Sequence, residues 1–291
     1  MPVRTAVITA AGVGTRFLPI SKSVPKEMLP LVDRPVLQYA VEQAAEAGIE
    51  RVVLVTSRGK TAMEDYFDVA PELERTLRER GNAKLEPVER VGRMTRVIAV
   101  RQPEPLGLGH AVLMAKEAVG NEPFIVYLPD EILLGEPSVT RQMLDAYDRR
   151  GNAIGVVEVP WDDVSRYGVV EGEPLSDRET LLTRSVEKPP RDQAPSNLAI
   201  VGPYVFSPAI FDCLEEITTG AIGELQLTDA IALLAQREPV HAFRFEGERF
   251  DAGTPLGLMQ TAVEIALRHP DYADAMRAWL KELAERETNL K

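Results

Sequence analysis

The residues best suited to chemistry stand near the amino terminus. Ala10-Ala11-Gly12-Val13-Gly14-Thr15-Arg16 closes an apolar run. Glycines at the carboxyl end of a strand let backbone N–H groups cradle phosphate oxygens. Two common phosphate loops do not match. The dinucleotide fingerprint needs glycine where Phe17 stands, and the P-loop needs glycine where Ser21 precedes Lys22-Ser23. A lone Gly-x-Gly is equally a plain tight turn, but here cations follow it: Arg16, then Lys26 in Pro25-Lys26-Glu27-Met28-Leu29-Pro30. Residues 1–40 hold five bases and two acids, while the whole chain carries a net charge of −12. A basic island in an acidic chain suits a polyphosphate ligand.

Other polar groups close apolar runs further along. Gln102 follows Arg96–Arg101. Its amide can donate and accept, as a pyrimidine edge requires, and it can equally be a surface polar residue. Gly107 and Gly109 would let a base or ribose approach the backbone. Asp130 follows Phe124–Leu128, at the edge where open α/β sheets bind ligands. It is either a carboxylate for a hard cation such as magnesium or a turn residue. Glu187-Lys188 closes a strand. A lysine point charge suits phosphate and the glutamate can accept from sugar hydroxyls, though such pairs are ordinarily solvated. Asp251 on its own reads as an N-cap for a helix starting near Pro255. His110 reads as a capping or packing residue, Cys213 as a small core residue, and Trp161-Asp162-Asp163 as loop.

These groups need a scaffold, and the patterning supplies one. Thr5–Ala10, Arg51–Thr56, Arg96–Arg101 and Phe124–Leu128 are apolar throughout, as strands covered on both faces should be. Between them lie helical stripes: Pro35–Gly48, one or two helices over 61–81 broken near Pro71, and Gly109–Val119. Repeated strand–helix–strand units predict a mixed, mostly parallel sheet with helices on both faces. After residue 150 the strands become denser (Ala153–Val159, Tyr167–Glu171, Leu182–Glu187, Leu198–Phe206 and His241–Phe245), which predicts antiparallel additions to the same core; Lys188–Pro195 reads as loop. Pro270–Lys291 places Ala273, Met276, Trp279, Leu280 and Leu283 on one helix face. That face would pack on its own subunit or meet another.

Composition sets bounds. The 291 residues are 45% hydrophobic and 27% charged, enough for a sizeable core. The acidic balance argues against nucleic acid and anionic membrane as partners. One cysteine excludes an internal disulfide and a multi-cysteine zinc site. The expectation is a cytoplasmic protein with no membrane segment.

The ordered motifs resemble the sugar-1-phosphate nucleotidyltransferase family. They begin with A-A-G-x-G-T-R-x-L-P and P-K-E-M-L-P. Gln102-Pro103, Gly107-Leu108-Gly109-His110-Ala111, Leu128-Pro129-Asp130 and Tyr167-Gly168-Val169-Val170 follow. Val186-Glu187-Lys188-Pro189, Asn197–Gly202, Glu224–Ala230 and Asp251-Ala252-Gly253 complete the set. The resemblance runs to about residue 260, and the helical stretch 61–95 with PSNLAIVG and GELQLTDAI points to the branch that joins UTP and glucose 1-phosphate into UDP-glucose and pyrophosphate.

The resemblance implies a Rossmann-like nucleotidyltransferase fold with an added antiparallel sugar-binding part. It implies one such domain over 1–269, a C-terminal helix over 270–291 as a possible subunit contact, and a homo-dimer or homo-tetramer. Ala10, Ala11, Gly12, Gly14, Thr15, Gln102, Gly107 and Asp130 would bind the nucleotide, with Gln102 on uracil. Gly168, Glu187, Lys188 and Gly202 would bind the sugar phosphate, with Thr228 and Asp229 as support. Asp130 and Asp251 would share Mg2+, Glu131 would not join them, and Arg16, Lys26 and Lys188 would carry catalysis.

Overall fold

A computed structural model describes residues 2–218 and 223–289. β1 (Thr5–Thr9) runs into the glycine-rich turn. A small hairpin, β2 (Pro30–Leu31) and β3 (Arg34–Pro35), precedes α1 (Val36–Glu46) and β4 (Arg51–Thr56). Three helices cross back to β5 (Arg96–Arg101): α2 (Thr61–Phe67), α3 (Pro71–Glu79) and α4 (Leu85–Arg93). α5 (Leu108–Met114) and α6 (Lys116–Val119) lead to β6 (Phe124–Tyr127), β7 (Glu131–Leu134) and α7 (Val139–Arg150). Four strands follow: β8 (Asn152–Glu158), β9 (Gly168–Pro174), β10 (Glu179–Glu187) and β11 (Leu198–Phe206). The chain ends with α8 (Ala209–Glu216), α9 (Leu227–Leu234), β12 (Val240–Arg244), β13 (Glu248–Asp251), α10 (Pro255–Ala266) and α11 (Ala273–Asn289).

Among the described residues, the main sheet has the order β5-β4-β1-β6-β11-β8-β12-β10-β9. β5, β4, β1 and β6 are parallel, so their carboxyl ends share one edge. From β11 outward the pairing is antiparallel, as the denser strands implied, with one departure: β12 lies parallel to β8. Alternation along β1 explains its uninterrupted apolar sequence. Val7 joins the core on one face with Phe124, Phe206 and Phe211, while Ala6 and Ile8 join the core on the other with Leu37, Leu54 and Met63.

Other departures are local. The 61–81 stretch does break before Pro71, which opens α3, but a third helix, α4, follows with Pro87 in its first turn, where no intrahelical N–H bond is lost. α7 lies in a stretch for which no helix was predicted. β7 and β13 pair with each other outside the main sheet, in register Asp251↔Glu131. Lys188–Pro195 is loop apart from a single 3-10 turn at Arg191–Gln193. In the C-terminal helix Ala273, Met276, Leu280 and Leu283 are half-buried and Trp279 is 47% exposed; Leu290 and Lys291 lie outside the described residues. Cys213 is fully buried in α8.

Candidate active site

Two cavities of about 450 and 430 Å3 open along the carboxyl edge of the parallel strands. The first is lined by Ala11, Gly12, Gly14 and Thr15 from the turn after β1, and by Gln102 and Gly107 from the loop after β5. The second is lined by Gly168 at the start of β9, Glu187 and Lys188 at the end of β10, Arg16 and Asp251. Asp130 lines both.

The turn after β1 takes its shape from Gly14, whose φ of +72° is left-handed. Behind it lies a buried ion pair of which sequence reading named neither member as functional. Lys60 Nζ donates to Glu27 Oε2 at 2.9 Å and to the Ala10 carbonyl at 2.6 Å. Burial pushes the Glu27 carboxyl up and the Lys60 amine down, each partly offset by the other. Ala10 therefore does not line the cavity as expected: it is buried and its carbonyl is engaged by Lys60. Next to Glu27, Lys26 turns the other way and donates to Asp130 Oδ2 at 2.6 Å. Burial works against both charges here, but the pairing outweighs it. Lys26 sits above the ordinary lysine range and Asp130 below the ordinary carboxylate range. Arg16 is exposed at the rim, and no ion pair with a described residue engages its guanidinium.

Gly107 lines the first cavity and Gly109 does not, and both have a further reason to lack a side chain. A Cβ at Gly107 would stand 2.9 Å from the Leu225 carbonyl, and one at Gly109 2.6 Å. The Glu224–Gln226 segment lies on this loop, with Leu225 N–H donating to Leu106 O and Gly109 N–H to Leu225 O. Gln102, 6% exposed, donates from Nε2 to the Gly107 carbonyl at 3.1 Å and lies 3.0 Å from His110 Nδ1.

In the second cavity, Glu187 Oε2 accepts from Thr228 Oγ1 at 2.7 Å, and Glu187 Oε1 lies 3.2 Å from Lys188 Nζ. Thr228 thus lines this cavity and fixes Glu187, whereas Asp229, expected beside it as support, does not line it. Gly168 must be glycine, since a Cβ would meet Thr228 Oγ1 at 2.6 Å. Gly202 is a correction: it does not line either cavity. It occupies an irregularity of β11 with φ +74°, where Gly155 of β8 approaches its carbonyl.

The β7–β13 ribbon brings Asp251 beside Asp130. A Cβ on Gly253 would lie 2.9 Å from Asp130 Oδ2 and 2.9 Å from Asp251 Oδ1, so these oxygens are at most twice that far apart. Asp251 is not the cap of α10. Thr254 is, accepting from Gly257 N–H at 3.0 Å, while Asp251 Oδ1 accepts from Gly253 N–H. Two hard carboxylate oxygens facing a gap kept clear by glycine fit a divalent cation whose remaining ligands are phosphate and water. Among the described residues no cluster of three or more His, Cys, Asp or Glu offers a fuller protein cage.

Glu131 lines the same cavity but is held bidentately by Arg249, both bonds at 2.7 Å. Arg249 also lies over the Tyr167 ring, and Arg166, three residues beyond the Trp161-Asp162-Asp163 loop, comes within 4.0 Å of Asp251. No local sequence signal marks Arg249: its partner is 118 positions away.

The family profile described as "Nucleotidyl transferase" matches residues 5–267. The UTP–glucose-1-phosphate uridylyltransferase of Bacillus subtilis strain 168 is 46% identical over 287 residues, 98% of each chain. The Staphylococcus epidermidis RP62A protein of the same name is 45% identical, covering 97% of this chain and 98% of that one. The structure of a UTP-bound UGPase from Acinetobacter baumannii superimposes with a TM-score of 0.87 at 41% identity, over 97% of this chain and 99% of that one.

Proposed function

This chain belongs to the nucleotidyl transferase family, and from that premise we propose that it transfers the uridylyl group of UTP to glucose 1-phosphate, giving UDP-glucose and pyrophosphate. The observation that carries this reading is the pair of cavities joined at Asp130, in a chain whose end-to-end relatives are uridylyltransferases. UTP enters the cavity under the glycine-rich turn, with Gln102 on the uracil, and the sugar phosphate enters the cavity of Glu187 and Lys188.

An oxygen of the sugar phosphate attacks the α-phosphorus of UTP in line, and the bond to pyrophosphate breaks. The nucleophile is already an anion near neutral pH, so no general base is required. The obstacle is the approach of two anions, and catalysis is positioning plus charge neutralisation. Arg16, at the rim of the second cavity, and Lys26, which lines neither cavity but is paired to the Asp130 that lines both, would neutralise the triphosphate and the departing pyrophosphate. Lys188 holds the attacking phosphate, and Glu187, fixed by Thr228, accepts from hexose hydroxyls. Asp130 and Asp251 would hold Mg2+, which would supply positive charge to the phosphate oxygens.

Pyrophosphate release, measured over UTP, dTTP, ATP and GTP with several hexose 1-phosphates, tests the assignment. UTP should exceed ATP and GTP by far, because a purine overfills a pocket built for a pyrimidine. Discrimination against dTTP should be weaker, since a methyl is worth only about 1–3 kcal/mol. Equal rates with ATP and UTP would overturn the reading.

Lys188→Ala should raise KM for glucose 1-phosphate while leaving UTP binding nearly unchanged. A charge-assisted contact to phosphate is worth about 1.5–3 kcal/mol. The Lys188 side chain is 52% exposed, so the lower end applies and an effect of about tenfold is expected. Unchanged kinetics for both substrates would show Lys188 to be a bystander.

No helix of the described residues is long and apolar enough to cross a membrane. We propose a cytoplasmic location, which suits a single thiol and a nucleotide substrate. The half-buried apolar residues of α11 and exposed Trp279 suit contact with a second copy, in a dimer or tetramer whose mass light scattering measures.

A further inference from the structure

The amide of Gln102 is held in one orientation. The group 3.1 Å from its Nε2 is the Gly107 carbonyl, which can only accept, so the atom facing it must be the nitrogen. His110 Nδ1 lies 3.0 Å from the same Nε2 and must therefore accept as well, which puts the imidazole proton on Nε2 of His110. An amide nitrogen has two hydrogens, and these two contacts use both. The only capacity Gln102 has left is the lone pairs of Oε1, which no described residue engages. Gln102 lines the cavity under the glycine-rich turn, and its Oε1 is not among the buried side-chain atoms left without a partner, so it is open to the cavity, where a donor on a bound base would have to meet it.

We propose that His110 is a specificity-determining positioning residue: by occupying the second hydrogen of Gln102 Nε2 it makes Gln102 a pure acceptor, which admits uracil and rejects cytosine. The inference rests on the placement of the base beside Gln102 in the proposed reaction. Uracil carries N3–H, a donor that satisfies Oε1. Cytosine presents a bare N3 lone pair at that position and would leave two acceptors facing each other. A free glutamine would read both bases by turning its amide. Here turning it would break two hydrogen bonds and set Oε1 against the Gly107 carbonyl. Size alone does not separate UTP from CTP, so the polarity of this one edge carries the choice.

The test compares kcat/KM for UTP, CTP and dTTP, at fixed glucose 1-phosphate, in the wild type, His110→Phe and His110→Asn. Phenylalanine keeps the ring and removes the acceptor. Asparagine can place Oδ1 where Nδ1 stands and so restores it. Buried polar groups that lose their partner dominate such discrimination, so the CTP-to-UTP ratio should rise about tenfold or more in His110→Phe. His110→Asn should stay close to the wild type. The dTTP-to-UTP ratio should not move in either variant, because thymine shares the N3–H. If His110→Phe is too unstable to assay, His110→Leu carries the same expectation. An unchanged CTP-to-UTP ratio, or equal losses with all three nucleotides, would overturn the proposal and leave His110 a packing residue. A wild type that makes no UDP-glucose from UTP would instead overturn the assigned reaction.

Discussion

Asp130→Asn and Asp251→Asn are each expected to lower kcat by about two to three orders of magnitude, the range seen when one preorganised electrostatic group is removed from a polar transition state. Asparagine keeps the size of aspartate and removes its charge, so the substitutions test electrostatics rather than packing. Each should also weaken Mg2+ binding measured by calorimetry in the presence of UTP, with the fold retained. If the two carboxylates share one ion, the first substitution already spoils the site. The double variant should then fall far less than the product of the singles. Multiplicative losses would mean independent roles, and a fully active Asp130→Asn enzyme would remove the metal mechanism. Because Thr254 caps α10, a loss in Asp251→Asn could not be explained as a lost cap, and a silent Asp251→Asn would leave Asp130 to hold the ion without it.

Lys26→Met should cost about as much, on the order of a thousandfold in kcat/KM for UTP, because one substitution removes two things. The triphosphate loses a cation, and Asp130 loses the ammonium that keeps it ionised against burial. Lys26→Arg should rescue little. The side chain begins against the turn, with the place of a Gly14 Cβ only 3.4 Å from Lys26 Cβ, and a guanidinium does not fit an ammonium's place. Single-turnover assays separate the two losses: an effect confined to UTP binding would mean that Asp130 keeps its function without Lys26.

How much of this was legible in the chain depended on the range of each signal. β1, β4 and β6 announced themselves, because strands covered on both faces are apolar throughout; Arg96–Arg101, expected to be covered in the same way, is instead the edge strand β5 and has no fully buried residue. α7 did not, because its buried face includes Thr140 and Gln142, which interrupt the apolar stripe. Gln142 is satisfied there by the Pro137 and Glu246 carbonyls, contacts that exist only after folding. The parallel placement of β12 beside β8 follows from the path of the chain and has no local signature. In the site, the glycine turn, Lys26, Asp130, Glu187 and Lys188 were visible through residue type and motif. Glu131, expected not to join the metal pair, lines the same cavity, but there it is held bidentately by Arg249, an arginine far away in sequence that no local signal marks. Gly202 lines neither cavity, and a glycine serving close strand packing looks, in sequence, like a glycine serving a ligand.

Lys188 has a backbone φ of +44°, in the left-handed region that side chains with a Cβ enter at a cost of about 1–2 kcal/mol. Its N–H nonetheless donates to the Tyr167 carbonyl, so the strand end is held in that shape and the amine is carried to the cavity rim. Glycine or asparagine would sit there more comfortably. Selection for heat resistance alone would therefore drift away from lysine at this position, and on the role proposed for Lys188 the survivors would be sturdier proteins with a poorer grip on the sugar phosphate. Any library built to raise the melting temperature should keep codon 188 fixed, and consensus scores at that position will understate what the residue is for.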